Sequence, residues 1–120
     1  MAVLIALPTN SGSNTFTDFQ KYLKKSHQIS LVSLYNNVLE KLEKYGFDIN
    51  QSFKRDTIKK LDSELYELRI KNIRTFLYFE SGIIVLLHSF IKKSQKTPRN
   101  EIIKAKEEIK QWKKKYQNVC

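Results

Sequence analysis

LYELRIKNIRTFLYFESGIIVLLHSFI, residues 65–91, is three apolar runs separated by two dipeptides, Lys71-Asn72 and Ser81-Gly82. Each run is rich in β-branched and aromatic residues, and each gap is short enough to force a tight turn. The spacing predicts three antiparallel strands over 65–70, 74–79 and 83–90. With two-residue turns, Ile70 pairs with Ile73 and Arg69 lies opposite Arg74. In the same register Glu80 pairs with Ile83 and Arg74 lies opposite Ser89.

Upstream of this meander, Val3 to Leu7 reads as a short strand ended by Pro8, and "PTNSGSN" as a loop. Asn14 or Thr15 can cap a helix bearing Phe16, Phe19, Tyr22 and Leu23 on one face. Leu31, Leu34, Tyr35, Val38, Leu39, Leu42 and Tyr45 follow three-four spacing and predict a second helix, with Gly46 as its C-terminal glycine. Residues 47–64 have no clean period and read as an irregular connection. Downstream, Thr97 and Pro98 fit the N-cap and first position of a final helix. Its apolar seam is Ile102, Ala105, Ile109, Trp112 and Tyr116, surrounded by lysines. The order strand, two helices, three strands, helix predicts a single α+β domain over 1–120, with the helices on one face of a small antiparallel sheet.

Strand alternation divides the meander into two faces. Tyr66, Leu68, Ile70, Thr75, Leu77, Phe79, Ile84, Leu86, His88 and Phe90 form the apolar one, expected under the helices; His88 then reads as a packed histidine. Glu67, Arg69, Arg74, Phe76, Tyr78, Val85, Leu87 and Ser89 form the mixed one. Two guanidiniums directly opposite each other destabilise a strand pair by up to about 1 kcal/mol. Either Glu67 offsets them in an Arg–Glu–Arg network, or a bound phosphate does, since guanidinium forks match phosphate oxygens. Lys92 and Lys93, just past the third strand, are within reach of the same spot.

The formal net charge of +10 points to a polyanionic partner. Nine Lys, one Arg and three Glu put +7 of it into residues 90–115. One cysteine, Cys120, excludes a disulfide framework, and two histidines give no metal-ligand spacing; neither metal nor cofactor is expected. "MAVLIALP" lacks a basic flank, and no apolar run reaches the roughly 18 residues of a membrane span, so a cytoplasmic location is expected.

"KKLDSELYELRI", "IRTFLYF" and "IIVLLHSFIKKSQKTPRNEIIKAKE" together resemble the RelE/ParE superfamily of type II toxin–antitoxin toxins, in its phage-derived HigB-like branch. The motifs span residues 59–106, and the most specific is F-x-K-K-x-x-K-T-P after a strand. The resemblance implies a RelE-like fold and a ribosome-dependent endoribonuclease that cleaves mRNA in the ribosomal A site. The RNA 2′-hydroxyl attacks the adjacent phosphate without a metal. It also implies a helix-turn-helix, HigA-like antitoxin, contact with operator DNA only through that antitoxin, and the 70S ribosome as partner. Carried over by position, Arg69, Arg74 and Lys93 are the expected catalytic cations. Glu67 is the expected base or arginine-holding carboxylate. Lys92, Lys96, Arg99 and Tyr78 are the expected RNA contacts. Residues 91–100 lack the tyrosine or histidine that several relatives use there. Two other readings stay open: a gyrase-inhibiting ParE-like toxin, and a non-catalytic nucleic-acid-binding module using exposed Tyr78 and Trp112. A membrane-surface role fits worst, because the last helix has a narrow apolar seam. Phe76, Tyr78, Val85 and Leu87 would form an apolar antitoxin patch unless the last helix covers them.

Overall fold

A computed structural model describes residues 3–9, 11–45, 57–80, 82–93 and 98–116. The strands are β1 (Val3–Ala6), β2 (Ile58–Lys60), β3 (Leu65–Ile70), β4 (Ile73–Glu80) and β5 (Ile83–Ile91). The helices are α1 (Thr15–Lys25), α2 (Ile29–Tyr45) and α3 (Arg99–Tyr116). The fold is α+β, in the expected order, with one addition: β2 lies inside the stretch read as irregular and extends the sheet beside β3. The five strands lie in the order β1-β5-β4-β3-β2. β1 runs parallel to β5 rather than antiparallel, so the sheet is mixed.

Local chemistry explains the boundaries. Asn14 caps α1, its side-chain oxygen accepting from Thr17 N at 2.8 Å. Lys71 turns the chain between β3 and β4 at φ 54°, and Gly82 does so between β4 and β5 at φ 80°. The left-handed region is natural for glycine but strained for lysine. Helix α3 begins at Arg99, with Pro98 O accepting from Ile102 N at 3.4 Å. Pro98 therefore precedes the helix instead of opening it. Gly46, Lys96 and Thr97 lie outside the described residues.

The expected single helical layer is two layers. α1 and α2 bury Phe19, Leu23, Tyr35 and Leu42 against Leu68, Ile70, Leu77, Ile84 and Leu86. α3 covers the opposite face, packing Ala105, Ile109 and Trp112 on Leu65, Phe76, Tyr78, Val85 and Leu87. The patch expected to await an antitoxin is thus covered by the chain's own last helix. Burying a side chain of this size is worth roughly 1.5–3 kcal/mol, which five large apolar groups make decisive. Trp112 also donates from Nε1 to Glu80 Oε2 at 2.9 Å.

Both turns have the expected register, Arg69 opposite Arg74 and Glu80 opposite Ile83. Between them β5 bulges. Thr75 pairs with Ser89 but Leu77 pairs with Leu86, so β5 carries one extra residue at Leu87–His88. A one-residue insertion reverses alternation beyond it. Arg74 therefore faces Phe90, not Ser89. Ser89 turns to the α1/α2 side, where Tyr35 Oη lies 3.1 Å and Thr75 Oγ1 2.7 Å from its hydroxyl. Burial raises the Tyr35 pKa, while the hydrogen bonds to Ser89 and Thr75 oppose the rise. His88 and Phe90 turn to the α3 side.

Because α3 closes the second face, Trp112→Ala is expected to cost about 3–5 kcal/mol, read from the denaturant midpoint. A loss under about 1 kcal/mol would mean the helix is not docked there.

Candidate nucleic-acid interface

The three charged groups singled out on the meander come together on the α3 side of the sheet, near the β3–β4 turn. Glu67 is fully buried. Its Oε1 accepts from Arg69 Nε at 3.0 Å and lies 3.9 Å from Arg74 Nε. The like-charge pair is thus offset by a carboxylate inside the protein, the Arg–Glu–Arg arrangement. Two cations on one anion leave the cluster with an excess positive charge.

The two arginines are used differently. Arg74 Nη1 donates to Lys71 O at 2.6 Å and to Ile73 O at 2.9 Å, bracing the turn that the strained Lys71 makes. Its side chain is only 14% exposed, and its Nε makes no hydrogen bond among the described residues. Burial lowers the Arg74 pKa, with Glu67 opposing the shift and Arg69 adding to it. Guanidinium is basic enough to stay charged regardless. Arg69 is 32% exposed, tethered through Nε to Glu67 and held at the backbone by Thr57 O, 2.7 Å from its amide. It is the more accessible guanidinium of the pair.

Lys92 is half-buried where β5 ends, its amide donating to Asn72 O at 2.7 Å. Continued alternation from Phe90 sets Lys92 on the arginines' side of the sheet. Lys93 and Arg99 are exposed. No contact joins Lys93 or Arg99 to the arginine pair among the described residues, and Lys96 lies outside them. Tyr78 corrects an expectation. It is 6% exposed, packed under α3 with Lys113 Nζ 5.6 Å from its ring, so it is not presented for stacking on a base. Trp112, read as exposed, is likewise buried.

His88 shares this side of the sheet because of the bulge, a placement that alternation alone reverses. It is a packed histidine all the same. Nδ1 donates to Glu108 Oε1 at 2.5 Å, Nε2 lies 3.4 Å from Glu101 Oε2, and Phe76 meets the ring edge-on at 5.2 Å. Glu108 belongs to α3, so His88 fastens that helix to the sheet through Nδ1, while its Nε2 makes no hydrogen bond among the described residues. Lys106 with Asp62 at 2.9 Å and Lys113 with Glu64 add two surface pairs between α3 and the β2–β3 turn. Asp62 is held below its ordinary pKa, first by Lys106 and then by the Glu64 amide. Among the described residues no group of His, Cys, Asp and Glu could hold a metal. No helix there is long and apolar enough to cross a membrane.

The family described as "Phage derived protein Gp49-like (DUF891)" matches residues 21–110, which takes in α2, β2 to β5 and the first two-thirds of α3. A search of curated proteins found no match.

Glu67→Gln keeps the shape of the cluster but removes its anion. It is expected to lower stability by about 2–3 kcal/mol, since two guanidiniums then face each other without a counter-charge. Inorganic phosphate should restore part of that loss, and more than sodium chloride at equal ionic strength. An unchanged denaturant midpoint would show that Glu67 does not neutralise the pair.

Proposed function

The chain belongs to the phage-derived Gp49-like family, a toxin-like family of the RelE and HigB kind, and from that premise we propose that it is a ribosome-dependent mRNA endoribonuclease of a toxin–antitoxin pair. One observation carries the reading: two guanidiniums converge on one buried carboxylate, and the less exposed of them, Arg74, lies opposite Phe90 on the strand that continues into Lys92 and Lys93.

In this reading the RNA 2′-oxygen attacks the adjacent phosphorus, the bond to the 5′-oxygen breaks, and a cyclic phosphate and a 5′-hydroxyl result. The 2′-hydroxyl loses a proton and the leaving oxygen gains one. Charge grows on the non-bridging oxygens as the pentavalent arrangement forms, and fixed cations lower its energy most there. Arg69 is the group that meets the phosphate, with Lys92 and Lys93 adding positive potential from the end of β5. Arg74 and Glu67 are positioning residues: Glu67 holds Arg69 by Nε and leaves the rest of its fork for an oxyanion. A buried, arginine-bound Glu67 suits this role better than proton abstraction. The in-line geometry that such a reaction needs is supplied by the ribosome, which orders the message. The lysines of α3 then give the chain its hold on ribosomal RNA, with an affinity that falls as salt rises. A helix-turn-helix antitoxin completes the proposal as the partner that silences the toxin.

A second reading has its own support. Arg74 spends its hydrogen bonds on the turn and Arg69 spends one on Glu67, so the cluster also makes sense as scaffolding for a basic, non-catalytic RNA-binding surface. That protein would show a steep salt dependence of binding and leave the RNA intact.

The two separate on Arg69. With translating ribosomes, Arg69→Ala is expected to lower mRNA cleavage by about a hundredfold and to relieve growth arrest on expression. Arg69→Lys should recover part of the activity. Full toxicity and cleavage from a folded Arg69→Ala variant would overturn the nuclease reading, and intact message with the unaltered chain would favour the binding module.

A further inference from the structure

Two registers are open to the end of β5. The turn between β4 and β5 pairs Glu80 with Ile83, and that register holds as far as Leu77 opposite Leu86. Continued without an insertion, it would set Thr75 opposite His88, Arg74 opposite Ser89 and Asn72 opposite Ile91. The bulge replaces it with a register one residue longer. Thr75 then meets Ser89, Arg74 meets Phe90, and Lys92 N donates to Asn72 O at 2.7 Å.

The register selects the lysine. In the observed one Ile91 packs with the α1/α2 core and Phe90 with the α3 core. Alternation therefore carries Lys92 onto the face of Arg69 and Arg74, and Lys93 onto the other. Lys92 is accordingly half-buried and Lys93 exposed. In the shorter register every side chain beyond Leu87 would change sides, and Lys93 would take the place near the arginines.

What holds the longer register lies far from both lysines in sequence. Tyr35 of α2 and Thr75 of β4 are 1% and 0% exposed. The Ser89 hydroxyl lies 3.1 Å from Tyr35 Oη and 2.7 Å from Thr75 Oγ1. Buried hydroxyls are costly when they lose a partner. The shorter register would take Ser89 from both of them, set His88 in its place and draw His88 away from Glu108.

We propose that Tyr35, Thr75 and Ser89 are positioning residues: their hydroxyl network fixes the register of β5 and so makes Lys92, rather than Lys93, the lysine that joins the arginine pair on a phosphate. The role of the lysine rests on the function proposed above; the register does not.

NMR of the full chain and titration with inorganic phosphate test the two parts separately. In the unaltered chain, cross-strand nuclear Overhauser contacts should join Asn72 to Lys92. Phosphate affinity, followed at the Arg69 Nε–H signal at constant ionic strength, should fall about tenfold on Lys92→Ala and about twofold on Lys93→Ala. His88→Val combined with Ser89→Ala removes both anchors and leaves the register to the turn. Its Asn72 contacts should move to Ile91, and the ranking of the two lysines should reverse. Deleting His88 alone removes the extra residue while keeping Ser89 opposite Thr75, so Lys92 should stay dominant. Asn72–Lys92 contacts that persist in a folded double variant would overturn the register lock. Equal losses from the two lysines in the unaltered chain, or a greater loss from Lys93, would overturn the lysine's role, and that comparison needs no change in the network. Failure of the unaltered chain to bind phosphate would overturn that role together with the anion site. Neither measurement uses message cleavage, which reports on the nuclease reading alone.

Discussion

Phe76, Leu77, Val85, Leu86 and Leu87 are all buried, although they alternate between the two sides of β4 and β5. A sheet with one wet side would leave about half of them in water, each at a cost of roughly 1.5–3 kcal/mol. Two helical layers are therefore obligatory. α1 and α2 pack one side, and α3, reached after the last strand, has to return across the other. Once both faces are closed, chemistry can be built only where strands end or where an edge is left open. The arginine cluster occupies the first kind of place, at the β3–β4 turn.

At the turn, stability and the proposed reactivity draw on the same groups. Lys71 sits in a conformation that disfavours a side chain, and Arg74 binds the carbonyls on either side of Asn72. The guanidinium that closes the turn then stands opposite Arg69, which makes a neighbouring carboxylate necessary, and Glu67 supplies it from two residues away on the same face. A buried carboxylate shared between two guanidiniums cannot neutralise both. The remaining positive charge is fixed in direction by the sheet, which is the condition under which a cation stabilises an oxyanion without reorganising.

What the sequence disclosed and what it withheld divide along physical lines. Turn length fixes register locally, so the pairing of Arg69 with Arg74 could be read from two residues of spacing, and the three-four period of α2 from its leucines. The bulge has no such local signature. It arises where Ser89 finds Tyr35 and Thr75 on one side and His88 finds Glu108 and Glu101 on the other, partners from 13 to 54 residues away in sequence. β2 is three residues long, too short for a period, and is defined by its pairing with β3. The place of α3 was undecided because a narrow seam fits either a neighbouring protein or the chain's own sheet. The second apolar set on the strands, Phe76, Tyr78, Val85 and Leu87, was the clue that the sheet needed the helix more.

The same helix explains the uneven distribution of charge. Its buried face is held by Ala105, Ile109 and Trp112, and its flanks by Glu108 to His88 and by Lys106 and Lys113 to the β2–β3 turn. Two lysines therefore act in docking. Lys104, Lys110, Lys114 and Lys115 stand on the exposed side, where surface pairs add little to stability and like charges repel along the helix. Folding gains nothing from that arrangement. A helix tied down by His88 on its inner side and cationic on its outer side is compatible with the proposed polyanionic partner, because meeting it there would not loosen the helix from the sheet.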